Sequence, residues 1–384
     1  MFFWIGVSVC LFLWGIVKDK SKFAEAGILL FLFVAMAFNK DTYDYNNYVT
    51  HYYEFVNGIN LRSEPMFMLV FILGAKLVPT YDVFKIVLTA AQLLLLYFAI
   101  RKTTKSVAFV FALYLIFPAY LDGFHTRFFM GSCLVMAALL KYMRDYSENR
   151  DYWKSSILYC FFIVIAAMFH ISLAVFIIVP VIPLLKRKVS LNYWKVLFSI
   201  AILLGCILVF RYSGLMFRIL SLFVSKANLS KYTGGHSIGL TSEQFHILVL
   251  YFLRQMIRIG FAYYLLYTHQ MYQRRQEMGE REDNEKGERF LGFLVSLNCV
   301  ALFVVVFQTF TVNFERLYRV INVANYVGAA VCLNSFSAHS LSRWRIKMLS
   351  LAYALLCAVD YFCKSEFYMD VYRLVFTNNI LFNG

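Results

Sequence analysis

The sequence predicts an all-α, polytopic integral membrane protein that forms a single membrane domain over residues 1–384. The chain is 61% hydrophobic with a mean hydropathy of +0.64. Only 15% of its residues are charged, whereas soluble domains average about 25%. The apolar residues lie in long runs separated by short polar segments, and a run of roughly 17–25 such residues can cross a bilayer as a helix.

About 12 apolar runs approach the length of a membrane-spanning helix. They lie at residues 2–17, 23–38, 83–100, 106–120, 128–143, 155–169, 171–185, 193–210, 245–267, 290–310, 317–336 and 348–362. The first run lacks a basic leading segment and a small-residue cleavage site, so we expect it to be retained as a span. The run at 65–78 is too short to cross, and we expect an interfacial or re-entrant helix there.

The Lys and Arg residues lie in alternate loops, and this pattern predicts the orientation of the chain. If the 65–78 helix does not cross and the N-terminus is outside, most of the 37 Lys and Arg residues lie on one side. They occupy loops near 18–22, 101–105, 141–154, 186–195, 274–289 and 343–347. The positive-inside rule makes this side cytoplasmic, and it explains the net charge of +15 without nucleic acid. The opposite face then carries outer loops near 39–82 and 211–244, while the polar connector at 268–289 is cytoplasmic.

The first outer loop contains groups suited to carbohydrate. Asp44 lies among tyrosines that include Tyr48 and among several asparagines, and Glu64 lies near the end of the loop. Aromatic faces can stack on sugar rings while carboxylates and amides bind hydroxyls. The alternative is an interfacial aromatic belt, which is common in membrane proteins.

Arginine and histidine residues collect in the outer half of the predicted membrane domain. Arg127 and His170 lie at outer ends of spans, and Arg316 and Arg319 lie at the start of another. A single His at a helix end is more often structural than catalytic. The eight Cys residues lie in or beside apolar runs without a Cys-x-x-Cys pair, so they predict neither a disulfide framework nor a metal site.

Arg254 and Arg258 are the most specific signal among these cationic residues. They are four residues apart, so they share one helix face within a span. An Arg in a membrane costs at least about 2.5–3.5 kcal/mol and normally faces a partner or a polar cavity. Few acidic residues are available in the spans, and a guanidinium matches the geometry of phosphate. An anionic ligand is therefore favoured over an internal salt bridge.

These groups together predict a ligand with a phosphate at membrane depth, a lipid tail in the bilayer and a sugar outside. A polyprenyl-pyrophosphate-linked glycan has all three parts. The sequence contains no Walker loop, His-Glu-x-x-His pair or Gly-x-Ser-x-Gly elbow, which argues against soluble nucleotides, zinc hydrolysis and serine acyl chemistry.

Four short motifs carry a resemblance to a known family. They are Asp44-x-x-x-Tyr48, Glu64-Pro65-x-Phe67, Arg127 at the start of a span, and Phe169-His170-x-Ser172. In their order and shared sidedness they resemble the EpsG-like, Wzy-type polymerases of bacterial exopolysaccharide, capsule or O-antigen. The resemblance implies a GT-C-like glycosyltransferase in the bacterial cytoplasmic (inner) membrane, with an extracytoplasmic active site. Its substrates would be oligosaccharide repeat units carried on undecaprenyl pyrophosphate.

The resemblance and the residue chemistry together assign roles. Asp44 or His170 would be the base, and the choice between them is open. Arg254 and Arg258 would hold the pyrophosphate with help from Arg127, Arg316 or Arg319, while Tyr48 and Glu64 would contact substrate. No cofactor is expected, and a divalent metal is left open. Membrane lipid, a polysaccharide chain-length regulator and a flippase are the further expected partners.

Two alternative functions remain from the sequence. A lipid-linked oligosaccharide flippase would share the intramembrane basic residues, but it would be expected to show repeat symmetry, and no internal repeat stands out. A membrane O-acyltransferase that modifies glycans would need a nucleophile or base that reaches a cytoplasmic acyl donor, and no matching motif occurs.

Overall fold

The computed structural model describes residues 2–40, 44–57, 64–188, 205, 242–273, 281–308, 312–337, 340–362 and 366–383. These residues form a bundle of helices with one isolated β-bridge between Asn39 and Asn379. The predicted span at 193–210, except residue 205, and most of the predicted outer loop at 211–244 lie outside the described residues.

The first half of the chain contains ten α-helices among its described residues. They are α1 (Phe2–Val17), α2 (Lys22–Ala37), α3 (Tyr45–Val56), α4 (Pro65–Leu77), α5 (Tyr81–Arg101), α6 (Val107–Ile116), α7 (Ala119–Phe124), α8 (Thr126–Ser147), α9 (Tyr152–Ala167) and α10 (Val181–Lys188). A 3-10 helix, Ile171–Ile178, lies between α9 and α10.

The described part of the second half adds α11 (Ser242–Gln273), α12 (Arg281–Val300), α13 (Leu302–Gln308), α14 (Leu317–Asn334), α15 (Leu341–Phe362), α16 (Glu366–Thr377) and α17 (Ile380–Asn383). A 3-10 helix, Val312–Arg316, leads into α14. The polar connector predicted at 268–289 is shorter than expected, because α11 continues to Gln273 and α12 begins at Arg281.

Proline residues interrupt two of the predicted spans. The run at 106–120 is divided into α6 and α7 at Pro118, and the run at 171–185 is divided at Pro180 into a 3-10 helix and α10. Proline lacks the backbone N–H and its ring clashes with the preceding turn, so a continuous helix is disfavoured there. Apolar composition alone does not contain this information.

Two described helical stretches, Tyr81–Arg101 and Glu285–Val305, are long and apolar enough to cross a bilayer. Shorter apolar helices lie at Phe2–Val17, Pro65–Leu77, Val107–Ile116, Tyr152–Ala167 and Ile171–Leu184. The helical, apolar architecture agrees with the predicted fold class. The count of about 12 spans and the GT-C-like arrangement stay predictions.

The basic loops near 18–22, 101–105, 141–154 and 343–347 meet at one end of the bundle, which we call the basic end. Lys347 lies 2.9 Å from Asp19, and the Ser106 hydroxyl donates to the same carboxylate at 2.8 Å. The Arg144 guanidinium donates to the Lys102 carbonyl at 3.0 Å. Loops that the charge pattern assigns to one side of the membrane therefore lie together.

Helix α4 begins and ends at the opposite end of the bundle. The backbone N–H of Met66 donates to the carbonyl of Met168, just after α9, at 3.1 Å. At the far end of α4, the Val78 carbonyl accepts from the Tyr52 hydroxyl at 2.8 Å, and Tyr52 packs on Tyr81 at the start of α5. With 13 residues, α4 is about 20 Å long, against about 30 Å of hydrocarbon. It does not cross the bundle, which is the geometry expected of a re-entrant or interfacial helix.

The C-terminal segment, which contains α16 and α17, also packs at this end. These two helices were not predicted from the sequence. The backbone N–H of Lys40 donates to the Asn378 carbonyl at 3.1 Å, and the Asn379 side chain donates to the Val34 carbonyl at 2.8 Å. The Phe382 ring stacks on Trp4 with 4.4 Å between centroids. This segment therefore fixes the start of the first outer loop, which leads to Asp44.

Candidate active site

Four predicted site residues lie at helix starts far apart in the sequence. Asp44 precedes α3, Arg127 lies in the first turn of α8, His170 precedes the 3-10 helix Ile171–Ile178, and Arg316 precedes α14. The charges of Arg127 and Arg316 act on both Asp44 and His170. The four side chains therefore form one group, which we call the charged cluster, at the end of the bundle opposite the basic end.

Burial and the arginine charges set the protonation states in the charged cluster. Burial raises the pKa of the Asp44 carboxyl above its ordinary value, although Arg316, Arg127 and Arg319 act in the opposite direction. Burial lowers the pKa of His170 to about 3, and the charges of Arg127 and Arg316 act in the same direction. His170 is therefore neutral near pH 7, with its Nδ1 2.7 Å from the Ser172 hydroxyl.

Arg127 links the first three motifs of the resemblance. Its guanidinium lies 2.8 Å from the Glu64 carboxylate and 5.7 Å from the centroid of the Phe67 ring. Its backbone N–H donates to the Tyr48 hydroxyl at 3.4 Å. The Arg127 side chain is still 35% exposed, so it can reach a substrate while it holds these contacts.

The tyrosines of the first outer loop pack mainly on other aromatic rings. Tyr48 and Tyr52 are buried with Phe67 and Phe71, and these rings join α3 to α4. Only part of the aromatic surface expected to stack on sugar is accessible, because α3 is an amphipathic helix rather than an open loop. These aromatic rings instead fix the position of α3, and Asp44 directly precedes that helix.

Arg319 lies behind the charged cluster. It is 2% exposed, and its Nη1 lies 3.3 Å from Asp122 Oδ1. Asp122 also accepts from the Tyr114 hydroxyl at 2.9 Å. The Phe128 ring contacts the edge of His170, with 5.4 Å between centroids, and lies 5.9 Å from the Arg319 guanidinium. Phe128 therefore packs between Arg319 and His170.

Arg254 and Arg258 on α11 contact protein groups. Arg254 forms an ion pair with Asp360 of α15, so the internal salt bridge that the sequence disfavours is present at Arg254. The packing of α15 against α11 provides this partner. Arg258 is buried, its Nε donates to Asn322 Oδ1 at 3.1 Å, and its guanidinium lies 4.1 Å from the centroid of the Tyr318 ring.

A hydrogen-bonded chain of buried side chains continues from Arg258 into the bundle. Asn322 Oδ1 also accepts from the Tyr353 hydroxyl at 2.6 Å, and Asn325 donates to the oxygen of that hydroxyl at 2.9 Å. Asn325 and Asn298 exchange hydrogen bonds of 2.8 and 3.2 Å. These contacts join α11, α12, α14 and α15.

Helix α14 connects this buried chain to the charged cluster. It carries Arg319, Asn322 and Asn325 at every third position, and Arg316 immediately precedes it at the same spacing. Residues three apart are neighbours on a helix surface. The two arginines were predicted as site residues from the sequence, whereas the two asparagines were not. The three-residue spacing of polar residues within an apolar run is the signal that could have identified them.

We expect Arg254→Gln to lower the free energy of unfolding by about 2 kcal/mol, because it removes a charged hydrogen-bonding group from a mostly buried carboxylate. Adding Asp360→Asn should restore most of that stability if the pair is structural. Thermal melting of the two variants in detergent measures both effects, with the exposed Arg345→Gln as a control. No recovery of stability in the double variant would contradict a structural role for the pair.

The cationic groups that an anionic substrate can reach in the charged cluster are the guanidinium groups of Arg127 and Arg316. Among the residues described, no three His, Cys, Asp or Glu side chains meet in an arrangement that could hold a metal ion.

Comparison with known proteins identifies the family of the chain. A family model described as the EpsG family matches residues 27–374. No curated protein and no solved structure matches the chain. The matched range contains all the motifs on which the resemblance rests, and it includes the charged cluster. The chain therefore belongs to the EpsG family.

Proposed function

We propose that this protein is a membrane glycosyltransferase that polymerises undecaprenyl-pyrophosphate-linked oligosaccharide units into a surface polysaccharide. Membership of the EpsG family indicates a polysaccharide polymerase in general. The observation that carries the finer proposal is the charged cluster, where one carboxylate, one neutral imidazole and two accessible guanidinium groups meet. A transfer from a lipid pyrophosphate needs a base and positive charge in one place.

We assign the pyrophosphate to Arg127 and Arg316 rather than to Arg254 and Arg258. Arg127 and Arg316 are partly exposed and act on the same carboxylate and imidazole. Arg258 is buried against Asn322 and Tyr318. Guanidinium groups form paired hydrogen bonds with phosphate oxygens, and fixed positive charge stabilises the negative charge that develops as the pyrophosphate leaves.

We assign the general base to Asp44. A base is most effective when its pKa lies near the working pH. His170, with a pKa of about 3, accepts a proton poorly, whereas burial raises the pKa of Asp44. A hydroxyl of the acceptor unit attacks the anomeric carbon and transfers its proton to Asp44. The bond from that carbon to the pyrophosphate oxygen breaks, and the pyrophosphate leaves with the bonding electrons. Neutral His170 orients a sugar hydroxyl by hydrogen bonding.

Reconstitution tests this function against the flippase alternative. Purified protein in proteoliposomes is supplied with undecaprenyl-pyrophosphate-linked repeat units, and the products are separated by size. We expect chains of several repeats together with free undecaprenyl pyrophosphate. Movement of the units across the bilayer without any longer chain would instead identify a flippase. Single units that become acylated when an activated acyl donor is added would identify an acyltransferase.

The sidedness of the proposal is tested by labelling single cysteines in a background without the native ones. We expect Asn47→Cys to react with an impermeant thiol reagent added outside cells. Lys105→Cys should react only after the membrane is opened, because it lies at the basic end. Both positions are exposed, so a difference in their labelling reports the side of the membrane and not burial in the protein. Labelling of both from the same side would contradict the proposed orientation.

A further inference from the structure

A cavity of about 450 Å³ opens at the basic end, between the α8–α9 turn, α10 and α12. Tyr142 and Tyr146 form one wall and pack on Phe293 of α12. Arg150 from the α8–α9 turn and Arg289 from α12 also line it. Two separate segments therefore place guanidinium groups around one opening.

Both arginines are accessible to a ligand. The side chains of Arg150 and Arg289 are 59% and 37% exposed. Arg150 lies 2.7 Å from Glu148 and 3.7 Å from the buried carboxylate of Asp145. Arg289 lies 3.2 Å from Glu285. The exposed pairs with Glu148 and Glu285 contribute only about 0–1 kcal/mol. The 3.7 Å contact of Arg150 with Asp145 is too long for a hydrogen bond. A phosphodiester that reaches both guanidinium groups can therefore compete with these contacts.

One lining residue of the cavity and two residues of α9 are apolar and exposed, and a basic run follows the lining residue in the sequence. Leu184 lines the cavity and is 45% exposed, and Ile157 on α9 is 68% exposed. Trp153, at the start of α9, is 70% exposed, as is usual for a residue at a membrane interface. The sequence directly after Leu184 and Leu185 is Lys186, Arg187 and Lys188. A ligand with an anionic head and an apolar tail matches this combination.

The cavity is separate from the charged cluster. Arg127 lies in the first turn of α8, and Arg150 follows the last turn of the same helix. Helix α8 has 22 residues and is therefore about 33 Å long. A substrate pyrophosphate held at Arg127 cannot occupy the cavity, so its occupant is a second molecule.

We propose that this cavity binds an anionic phospholipid of the leaflet at the basic end. The lipid phosphate lies between Arg150 and Arg289, and the acyl chains follow the exposed side chain of Leu184. Basic pockets between helices on the cytoplasmic side are suited to such headgroups. The bound lipid joins α8, α9, α10 and α12 at this end.

Native mass spectrometry of the purified full-length protein tests this site. The protein is titrated with phosphatidylglycerol and, in parallel, with zwitterionic phosphatidylcholine. We expect the variant Arg150→Gln/Arg289→Gln to bind phosphatidylglycerol about 30-fold more weakly, since two lipid-facing charges are removed. The control Lys102→Gln/Lys105→Gln removes the same charge from exposed positions at the basic end outside the cavity, and its binding should not change. The single variant Arg289→Gln should give a smaller loss and serves if the double variant does not fold.

Three outcomes would overturn the proposal. Equal losses in the cavity and control variants would mean that general charge attracts the lipid. Equal binding of phosphatidylcholine by the unaltered protein would remove the need for an anionic head. Displacement of phosphatidylglycerol by millimolar inorganic phosphate would indicate a free phosphate site. None of these measurements depends on polymer formation, so they can fail or succeed independently of the proposed function.

Discussion

Asp44→Asn is expected to lower polymer formation by a factor of about 10²–10⁴, the usual contribution of a general base. The substitution keeps the size of the side chain but removes its ability to accept the hydroxyl proton. Burial raises the pKa of this carboxyl although Arg316, Arg127 and Arg319 attract its charge, so the folded protein should tolerate a neutral amide at this position. Initial rates of chain growth in proteoliposomes, at equal amounts of inserted protein, measure the effect.

Two variants serve as comparisons for Asp44→Asn. Glu54→Gln removes a carboxylate from the same helix, α3, where Glu54 contacts His51 at 3.0 Å, and it should leave the rate within about twofold because exposed pairs contribute little. His170→Gln keeps a hydrogen-bonding group beside Ser172, and we expect a smaller loss than for Asp44→Asn. A greater loss for His170→Gln, with Asp44→Asn near normal, would assign the base to His170.

The pH dependence of the reaction provides an independent check on the base. A base acts only when it is deprotonated, so kcat/KM should fall as the pH falls through the pKa of Asp44. Because burial raises that pKa, the fall should begin at a higher pH than for an ordinary aspartate. His170, with a pKa of about 3, should contribute no transition between pH 5 and 8. The same profile in His170→Gln would support this, and its displacement would contradict it.

The members of the charged cluster were predictable from the sequence because sidedness places them together. Arg127, His170 and Arg316 each lie at the outer end of a predicted span, and Asp44 lies in the first outer loop. The charge pattern of the loops assigns all four positions to one side. The approximate positions of the helices were also predictable, because long apolar runs indicate helices that can cross a bilayer. The helix breaks at Pro118 and Pro180 could also have been predicted from the sequence, since proline disfavours a continuous helix.

The partners of the buried arginines were not predictable from the sequence. Arg319 and Asp122 are 197 positions apart, and their contact depends on how α14 is rotated against α7. The pairing of Arg254 with Asp360 depends in the same way on α15 and α11. Hydropathy and loop charge fix which end of a helix lies on which side, but they do not fix its rotation about its own axis. The role predicted for Arg254 and Arg258 in the middle of a span therefore changed most, because both contact protein groups.

The proposed binding of the pyrophosphate by Arg127 and Arg316 is tested by substitutions at both positions. Arg316→Gln should lower kcat by a factor of about 10²–10³, as for loss of one fixed group that stabilises developing charge. Arg316→Lys should be intermediate, because it keeps the charge but loses the paired hydrogen bonds of the guanidinium. Arg127→Gln is made together with Glu64→Gln, so that the effect is not due to a carboxylate left without the guanidinium 2.8 Å away.

The comparison that decides between the two pairs of arginines uses the same assay. If Arg127 and Arg316 hold the pyrophosphate, the loss should appear mainly in kcat, because negative charge on the leaving group develops in the transition state. Arg254→Gln/Asp360→Asn, which neutralises an ion pair as a unit, should then retain most of the activity of the unaltered protein. The opposite result, in which that double variant is inactive although folded and Arg316→Gln is active, would move the phosphate site to α11. Arg254 would then have to exchange Asp360 for the substrate, and added undecaprenyl pyrophosphate should raise the melting temperature of the unaltered protein but not that of the double variant.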